Sequence, residues 1–261
     1  EGLDSDQCDA VKAIMTSRDR VICIQGRAGS GKTTMMSTAI EKMEAAGESV
    51  FVFAPSSQAA HQVLKDEGFE DSETVQQLLV NPKLQEQMKG KILWIDEAGL
   101  LSTRDMSKLT KIADEQNCRL VYSGDSRQHK SVGRGSVFKL CCDSGLATVQ
   151  ETRSIYRQRS AAYKKAVTAL SVGDSDEAFE ILDDLGAIRE IESFDERLEA
   201  VAQEYVESLS AHKSVLVVSP THVEGRLVTR AVRGLMREKG MLGEQEVEIP
   251  VFRSKNFTEA Q

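Results

Sequence analysis

The chain has 261 residues, 40% of them apolar and 28% charged, with a formal net charge of −8. This composition is that of a soluble globular protein with one large core or two medium ones. No apolar run approaches the roughly 20 residues of a membrane helix, and no basic-then-apolar leader is read. The acidic excess argues against a surface coated in positive charge for nucleic acid, but not against a local basic groove.

In chain order, short apolar runs rich in β-branched residues read as strands buried on both faces: RVICIQ (20–25), SVFVFA (49–54), KILWID (91–96), RLVYSG (119–124) and SVLVVS (214–219). Stretches with helical spacing lie between and after them, at 32–46, 103–116, 158–171, 195–210 and 223–239. The alternation predicts an α/β fold, a parallel sheet with helices on both faces. A boundary is expected near 150–157, giving a first domain over 1–152 and a second, incomplete α/β unit over 153–261. In that unit GAIREIES (186–193) precedes a helix and the strand at 214–219, and GEQEVEIPVFRSKNF (243–257) reads as a hairpin or strand. The ends at Glu1 and Gln261 are expected to be cuts within a longer protein.

The five cysteines, Cys8, Cys23, Cys118, Cys141 and Cys142, form no C-x-x-C pair. Their odd number suggests reduced thiols in a cytosolic protein. Adjacent Cys141 and Cys142 are either a redox pair or ordinary core and surface thiols. Two basic clusters (Arg127, His129, Lys130, Arg134 and Arg153, Arg157, Arg159, Lys164, Lys165) are either solvated charge or a local groove. The four histidines show no metal-ligand spacing.

The strongest motif is GRAGSGKTT (26–34). It matches G-x-x-x-x-G-K-[ST], follows a predicted strand and opens a predicted helix. Gly26, Gly29 and Gly31 permit tight turns in which the N–H groups of Arg27, Ala28, Ser30 and Thr34 can face phosphate oxygens. The helix N-terminus favours anions. Lys32 is expected to reach the β- and γ-phosphates, and the Thr33 hydroxyl to hold Mg²⁺. In LWIDEAG (93–99) a buried strand delivers Asp96 and Glu97 at its carboxyl end, Asp96 for the metal and Glu97 as the base that activates water. In VYSGDSRQ (121–128), Asp125 and Gln128 leave another strand. That pattern alone fits an Asx turn, but beside the other two motifs Gln128 reads as a γ-phosphate sensor.

G-K-T, D-E-A and G-D-x-x-Q in this order resemble superfamily 1 helicases. GDSRQHKSVGRGSVFKL with IYRQRSAAYKKAV resembles the RecD-like branch. RQH-x-x-VGRG, GDSDEAFEILDDLGAI and SPTHVEGRLVTRAVR make the chain most similar to the helicase part of TraI/TrwC-type conjugative relaxases. The resemblance spans about Leu3 to Gly240. It implies a P-loop NTPase with a RecA-like ATP-binding domain and part of a second RecA-like domain, using ATP and Mg²⁺. It further implies a bacterial cytoplasmic motor moving 5′ to 3′ on single-stranded DNA, with other conjugation or DNA-processing proteins as partners. Gln7 in LDSDQCDAV would read the adenine edge. Arg157 in YRQ would be an arginine finger acting with Lys32, Glu97 and Gln128. Tyr156 would stack on the base or serve as a core aromatic. Pro55, Ser56 and Ser57 would touch single-stranded DNA. So would Thr74, Thr221 and His222, each of which also has a plain capping reading.

Three departures stand out. Gln58 occupies a position where the family often has lysine. The stretch between LLVNP and KILWIDE leaves no room for a strand-splitting hairpin. The family's late K-G-rich and S-R-A-like motifs are absent. A P-loop phosphotransferase, a stand-alone RecD-like repair helicase and a non-catalytic DNA-gripping module are the alternatives.

Overall fold

In a parallel sheet covered on both sides, successive side chains of one strand enter opposite cores. Ile22 and Ile24 face one way and Cys23 the other; Val52 and Ala54 oppose Phe53; Ile92 and Trp94 oppose Leu93 and Ile95; Val121 opposes Leu120 and Tyr122. The computed structural model in which this is seen describes residues 2–27, 29–128, 131, 133–145, 147–152, 154 and 160–243.

Six strands, β1 (Val21–Gly26), β2 (Val50–Ala54), β3 (Glu73–Thr74), β4 (Ile92–Ile95), β5 (Arg119–Gly124) and β6 (Thr148–Thr152), form one sheet in the order β3-β2-β4-β5-β1-β6. Every neighbouring pair is parallel. The helices are α1 (Ser5–Thr16), α2 (Lys32–Ala45), α3 (Leu64–Asp66), α4 (Val75–Val80), α5 (Pro82–Gln87), α6 (Thr103–Glu115), α7 (Val137–Ser144), α8 (Ala161–Val172), α9 (Ser175–Asp184), α10 (Phe194–Ser210) and α11 (His222–Glu238), with a π turn at Ala59–Val63 leading into α3. On one face Ala10, Val11 and Ile14 of α1 and Met35, Met36, Ala39, Ile40 and Met43 of α2 complete a core with Trp94 and Val121. On the other, Val75 and Leu78 of α4, Met106, Leu109 and Ala113 of α6 and Phe138 of α7 close over Phe53, Ile95 and Tyr122. The expected sheet with helices on both faces is therefore present. Among the described residues no helix is long and apolar enough to cross a membrane.

By compactness the chain divides between Ala187 and Ile188. The sheet ends at Thr152, beside the expected boundary, but α8 and α9 pack on each other and belong to the first unit. In the second unit α10 and α11 pack together around Ala202 and Val206.

One element differs from expectation. Residues 214–219 form no strand, and Leu216 is 86% and Val218 83% exposed. Apolar β-branched composition favours a strand, but a strand exists only when a neighbour completes its hydrogen-bond ladder. No described strand pairs with this segment. The possible hairpin after residue 243 lies outside the described residues.

Candidate active site

Because all six strands run the same way, their carboxyl ends open on one edge, where ligands bind in open α/β sheets. The loops after β1, β4 and β5 meet there. Gly29 (φ 75°) and Gly31 (φ 70°) stand in the left-handed region, and Gly31 caps α2 without a side chain. That leaves the first N–H groups of α2 open to an anion. Gly26 is needed for space. A Cβ there would lie 2.5 Å from Thr152 Oγ1 and 2.6 Å from Lys32 Cγ. Lys32 Nζ donates to the carbonyls of Gly26 (2.9 Å) and Arg27 (3.3 Å). The lysine is thereby held along the loop it is expected to serve.

The loop is braced from behind. Ser30, which is buried, shares a 3.0 Å hydrogen bond with Thr152 Oγ1 across to β6. Gln7 is 3% exposed. Its Oε1 accepts from Asp4 N–H in the capping box of α1, and its Nε2 donates to the carbonyls of Ser30 (2.9 Å) and Gly31 (3.2 Å). Both ends of the Gln7 amide are thus committed to the protein, tying α1 to the phosphate loop.

On β4, the Asp96 N–H bonds Phe53 O at 2.8 Å, and Asp96 Oδ1 accepts from Ser123 Oγ at 2.7 Å. Glu97 follows at φ 51°, a conformation that costs a non-glycine residue and recurs at functional sites. After β5 the chain turns sharply. A Cβ on Gly124 would lie 3.2 Å from the Ala98 and Gly99 nitrogens, so glycine lets the β4 and β5 loops touch. Asp125 then does two things. Its Oδ1 accepts from Arg127 N–H at 3.0 Å, making the Asx turn. Its Oδ2 accepts from Gln128 Nε2 at 3.1 Å, fixing the expected sensor. The Asx turn is thus present, and the same carboxylate holds Gln128 beside it.

One cavity of about 460 Å³ is lined by Gly29, Ser30, Gly31, Lys32, Thr33, Thr34, Asp96, Glu97 and Gln128, together with Glu67. Residues far apart in sequence thus share one space. Glu67 was not anticipated. It caps α3 and lies far from any motif, so nothing local marked it. Ser123 was also missed, although a hydroxyl at the end of an otherwise apolar strand was a signal. Gly26 is not among the lining residues and is linked to them by the Lys32 Nζ bond to its carbonyl. Arg27 lines a neighbouring space of about 200 Å³ with Asp125, Gln128 and Leu170 of α8. Ala28, Tyr156 and Arg157 lie outside the described residues.

Of the residues expected to touch DNA, Pro55, Ser56, Ser57 and Thr74 lie in the first unit, at the neighbouring ends of β2 and β3, and Thr221 and His222 lie in the second. Pro55, Ser56 and Ser57 follow β2, with both serines exposed. Ser56 Oγ accepts from Ala59 N–H at 3.1 Å. Thr74 caps α4 by accepting from Gln77 N–H, and Thr221 caps α11 by accepting from Glu224 N–H, with His222 exposed beside it. Behind the phosphate loop, Cys23 of β1 packs against Cys141 and Cys142 of α7. The Cys23 thiol donates to Cys142, which pushes Cys23 up, with burial adding to it, and holds Cys142 below its ordinary value.

A family model described as an AAA domain matches residues 2–193. The conjugal transfer protein TraA of Rhizobium radiobacter is 29% identical over 252 residues, covering 94% of this chain and 22% of that protein. The multifunctional conjugation protein TraI of Escherichia coli strain K12 is 22% identical over 310 residues, covering 100% of this chain and 18% of that protein. The chain thus spans about a fifth of the length of these curated relatives. The Pif1 helicase structure from Candida albicans superimposes with a TM-score of 0.53 at 18% identity, covering 69% of this chain and 47% of that one. Bacteroides sp Pif1 in complex with ADP-AlF4 gives 0.51 at 19% identity, covering 68% and 48%. The sequence likeness is to conjugation proteins, and the fold is the one those two helicases share.

Proposed function

The chain belongs to the AAA domain family whose model spans residues 2–193, and from that premise we propose that it is the ATP-driven motor portion of a conjugative relaxase-helicase. It translocates along single-stranded DNA, 5′ to 3′, in the bacterial cytoplasm. The observation that carries this reading is the single cavity in which the phosphate loop, Asp96, Glu97 and Gln128 meet. The conjugal-transfer relatives support the biological setting.

ATP binds with its phosphates against the Gly29–Thr33 backbone. Lys32 exchanges its two loop carbonyls for the β- and γ-phosphates, which a charge-assisted contact favours. Thr33 and Asp96 supply hydroxyl and carboxylate oxygens in the same cavity, a hard-oxygen donor set that fits Mg²⁺ with part of its water shell. Mg²⁺, when bound there, neutralises charge on the β- and γ-phosphates. Glu97 takes the proton of the attacking water. Gln128, oriented by Asp125, contacts the γ-phosphate and reports its presence, and Arg157 stabilises charge at the transition state. Gln7 serves adenine recognition through its hold on Ser30 and Gly31, or directly once that hold is exchanged. Tyr156 stacks on the base. Pro55, Ser56, Ser57 and Thr74 in the first unit, and Thr221 and His222 in the second, grip DNA through phosphates. Residues 1–152, with the sheet, are the RecA-like ATP-binding domain, and 153–261 are part of a second such domain.

A phosphotransferase would use the same phosphate loop, but it has no need for a glutamine pinned by an aspartate in the nucleotide cavity. Fluorescence anisotropy of labelled single-stranded DNA, with and without a non-hydrolysable ATP analogue and Mg²⁺, tests the motor reading. A DNA affinity that changes with nucleotide state supports it. DNA binding that is absent, or blind to nucleotide, refutes it.

A further inference from the structure

The face of the sheet that carries Asp96 also carries a buried polar chain that the reaction scheme does not use. Trp94 and Asp96 stand two residues apart, so pleating sends both side chains to the α1–α2 face. On the neighbouring strand Trp94 pairs with Val121 and Ile95 with Tyr122, so the next residue across, Ser123, falls beside Asp96. The indole of Trp94 donates to Ser123 Oγ at 2.8 Å, and Ser123 Oγ donates to Asp96 Oδ1 at 2.7 Å. Trp94 is 0% and Ser123 1% exposed, so no water competes for either group.

The direction of this relay is fixed by chemistry. An indole N–H has one proton to give and no lone pair to accept with. Ser123 must therefore accept from Trp94, which leaves its only proton for Asp96. A carboxylate held through one oxygen cannot exchange its two oxygens freely. Oδ1 is committed to the relay, and Oδ2 is left outside it.

We infer that Ser123, itself oriented by Trp94, is a positioning residue for the divalent-cation site, setting the rotamer in which Asp96 meets the cation. This deepens the proposed function and rests on the nucleotide-site reading. Partners behind metal ligands change metal affinity about 10–100-fold when removed. The chain holds a single tryptophan, and it sits at the donor end of the relay. Arrival of the cation at Asp96 is therefore felt two hydrogen bonds away by the protein's only indole, and its emission reports cation binding.

The test measures ADP affinity by calorimetry with and without Mg²⁺ for wild type, Ser123→Ala, Ser123→Thr and Trp94→Phe, with tryptophan emission followed where the indole remains. The ratio of the two affinities isolates the cation's contribution. Ser123→Ala is expected to lose roughly 10-fold in that ratio, with the Mg²⁺-free affinity unchanged and the Mg²⁺-induced emission change gone. Ser123→Thr, which keeps the hydroxyl, restores both, and Trp94→Phe gives an intermediate ratio. If Ser123→Ala does not fold, an intermediate ratio in folded Trp94→Phe with a wild-type ratio in Ser123→Thr carries the inference, and a wild-type ratio in Trp94→Phe overturns it. Equal losses with and without Mg²⁺, accompanied by a lower melting temperature, would show a purely structural role and overturn it. So would a wild-type ratio in Ser123→Ala, which leaves the nucleotide site itself intact. A wild-type chain that binds no ADP overturns the nucleotide-site reading and this inference together.

Discussion

Replacing Gly26 by alanine places a methyl carbon 2.5 Å from Thr152 Oγ1, 2.6 Å from Lys32 Cγ and 2.7 Å from Lys32 Cδ. None of these is a freely moving side-chain end. Thr152 is buried and bonded to Ser30, and the lysine is fixed through its Nζ contacts. Overpacking of this kind costs about 1–3 kcal/mol, and each kcal/mol lowers the melting temperature of a chain this size by about 2–4 °C. The larger effect is on binding. Lys32 must leave its track, and losing one charge-assisted contact of about 1.5–3 kcal/mol weakens nucleotide affinity roughly 10–100-fold. Thermal unfolding and titration with a fluorescent ADP analogue read the two effects separately. In the double variant Gly26→Ala/Thr152→Ala the stability losses should sum to less than the singles, because one clash is shared, while affinity stays low. Wild-type melting and wild-type affinity in Gly26→Ala would show that Thr152 and Lys32 do not confine this position.

Asp125→Ala removes the Asx turn and the hold on Gln128 together, so ATP hydrolysis should fall at least about 10-fold with little change in the KM for ATP; an unchanged kcat would mean that Gln128 needs no such support. Iodoacetamide applied to the folded protein should modify exposed Cys8 and the depressed Cys142 ahead of Cys141, with buried Cys23 and Cys118 reacting only on unfolding; peptide mass spectrometry reads the order. Burial pushes the Tyr122 phenol up. Above about pH 10, the ordinary value, the unfolded chain releases this proton while the folded chain keeps it, so stability falls as pH rises. Tyr122→Phe should flatten that fall in denaturant titrations near pH 10–11.

The legible parts of this protein were those written locally. A phosphate loop compresses strand, glycines and helix into a short stretch. The 91–96 and 119–124 runs show their burial because both faces of a central strand are apolar. Where information is long-range, the sequence was mute or misleading. β3 has two residues, and β6, with sequence TVQET, is a half-buried edge strand whose polar residues look like a loop. Their strand character comes from pairing with β2 and β1. The reverse happened at 214–219, where composition suggested a strand and no described partner exists. In the site, Lys32, Asp96, Glu97 and Gln128 were found by motif. Ser123, Glu67 and the bracing role of Gln7 depend on which elements come to lie side by side, and no spacing along the chain encodes that.

The central claim is that one cavity couples nucleotide chemistry to DNA. The most direct measurement is the rate of Mg·ATP hydrolysis with and without single-stranded DNA, with Lys32→Ala as the blank. Hydrolysis should be stimulated by DNA and abolished in Lys32→Ala. Hydrolysis that proceeds at the same rate whether or not DNA is present, or that survives in Lys32→Ala, would contradict the claim.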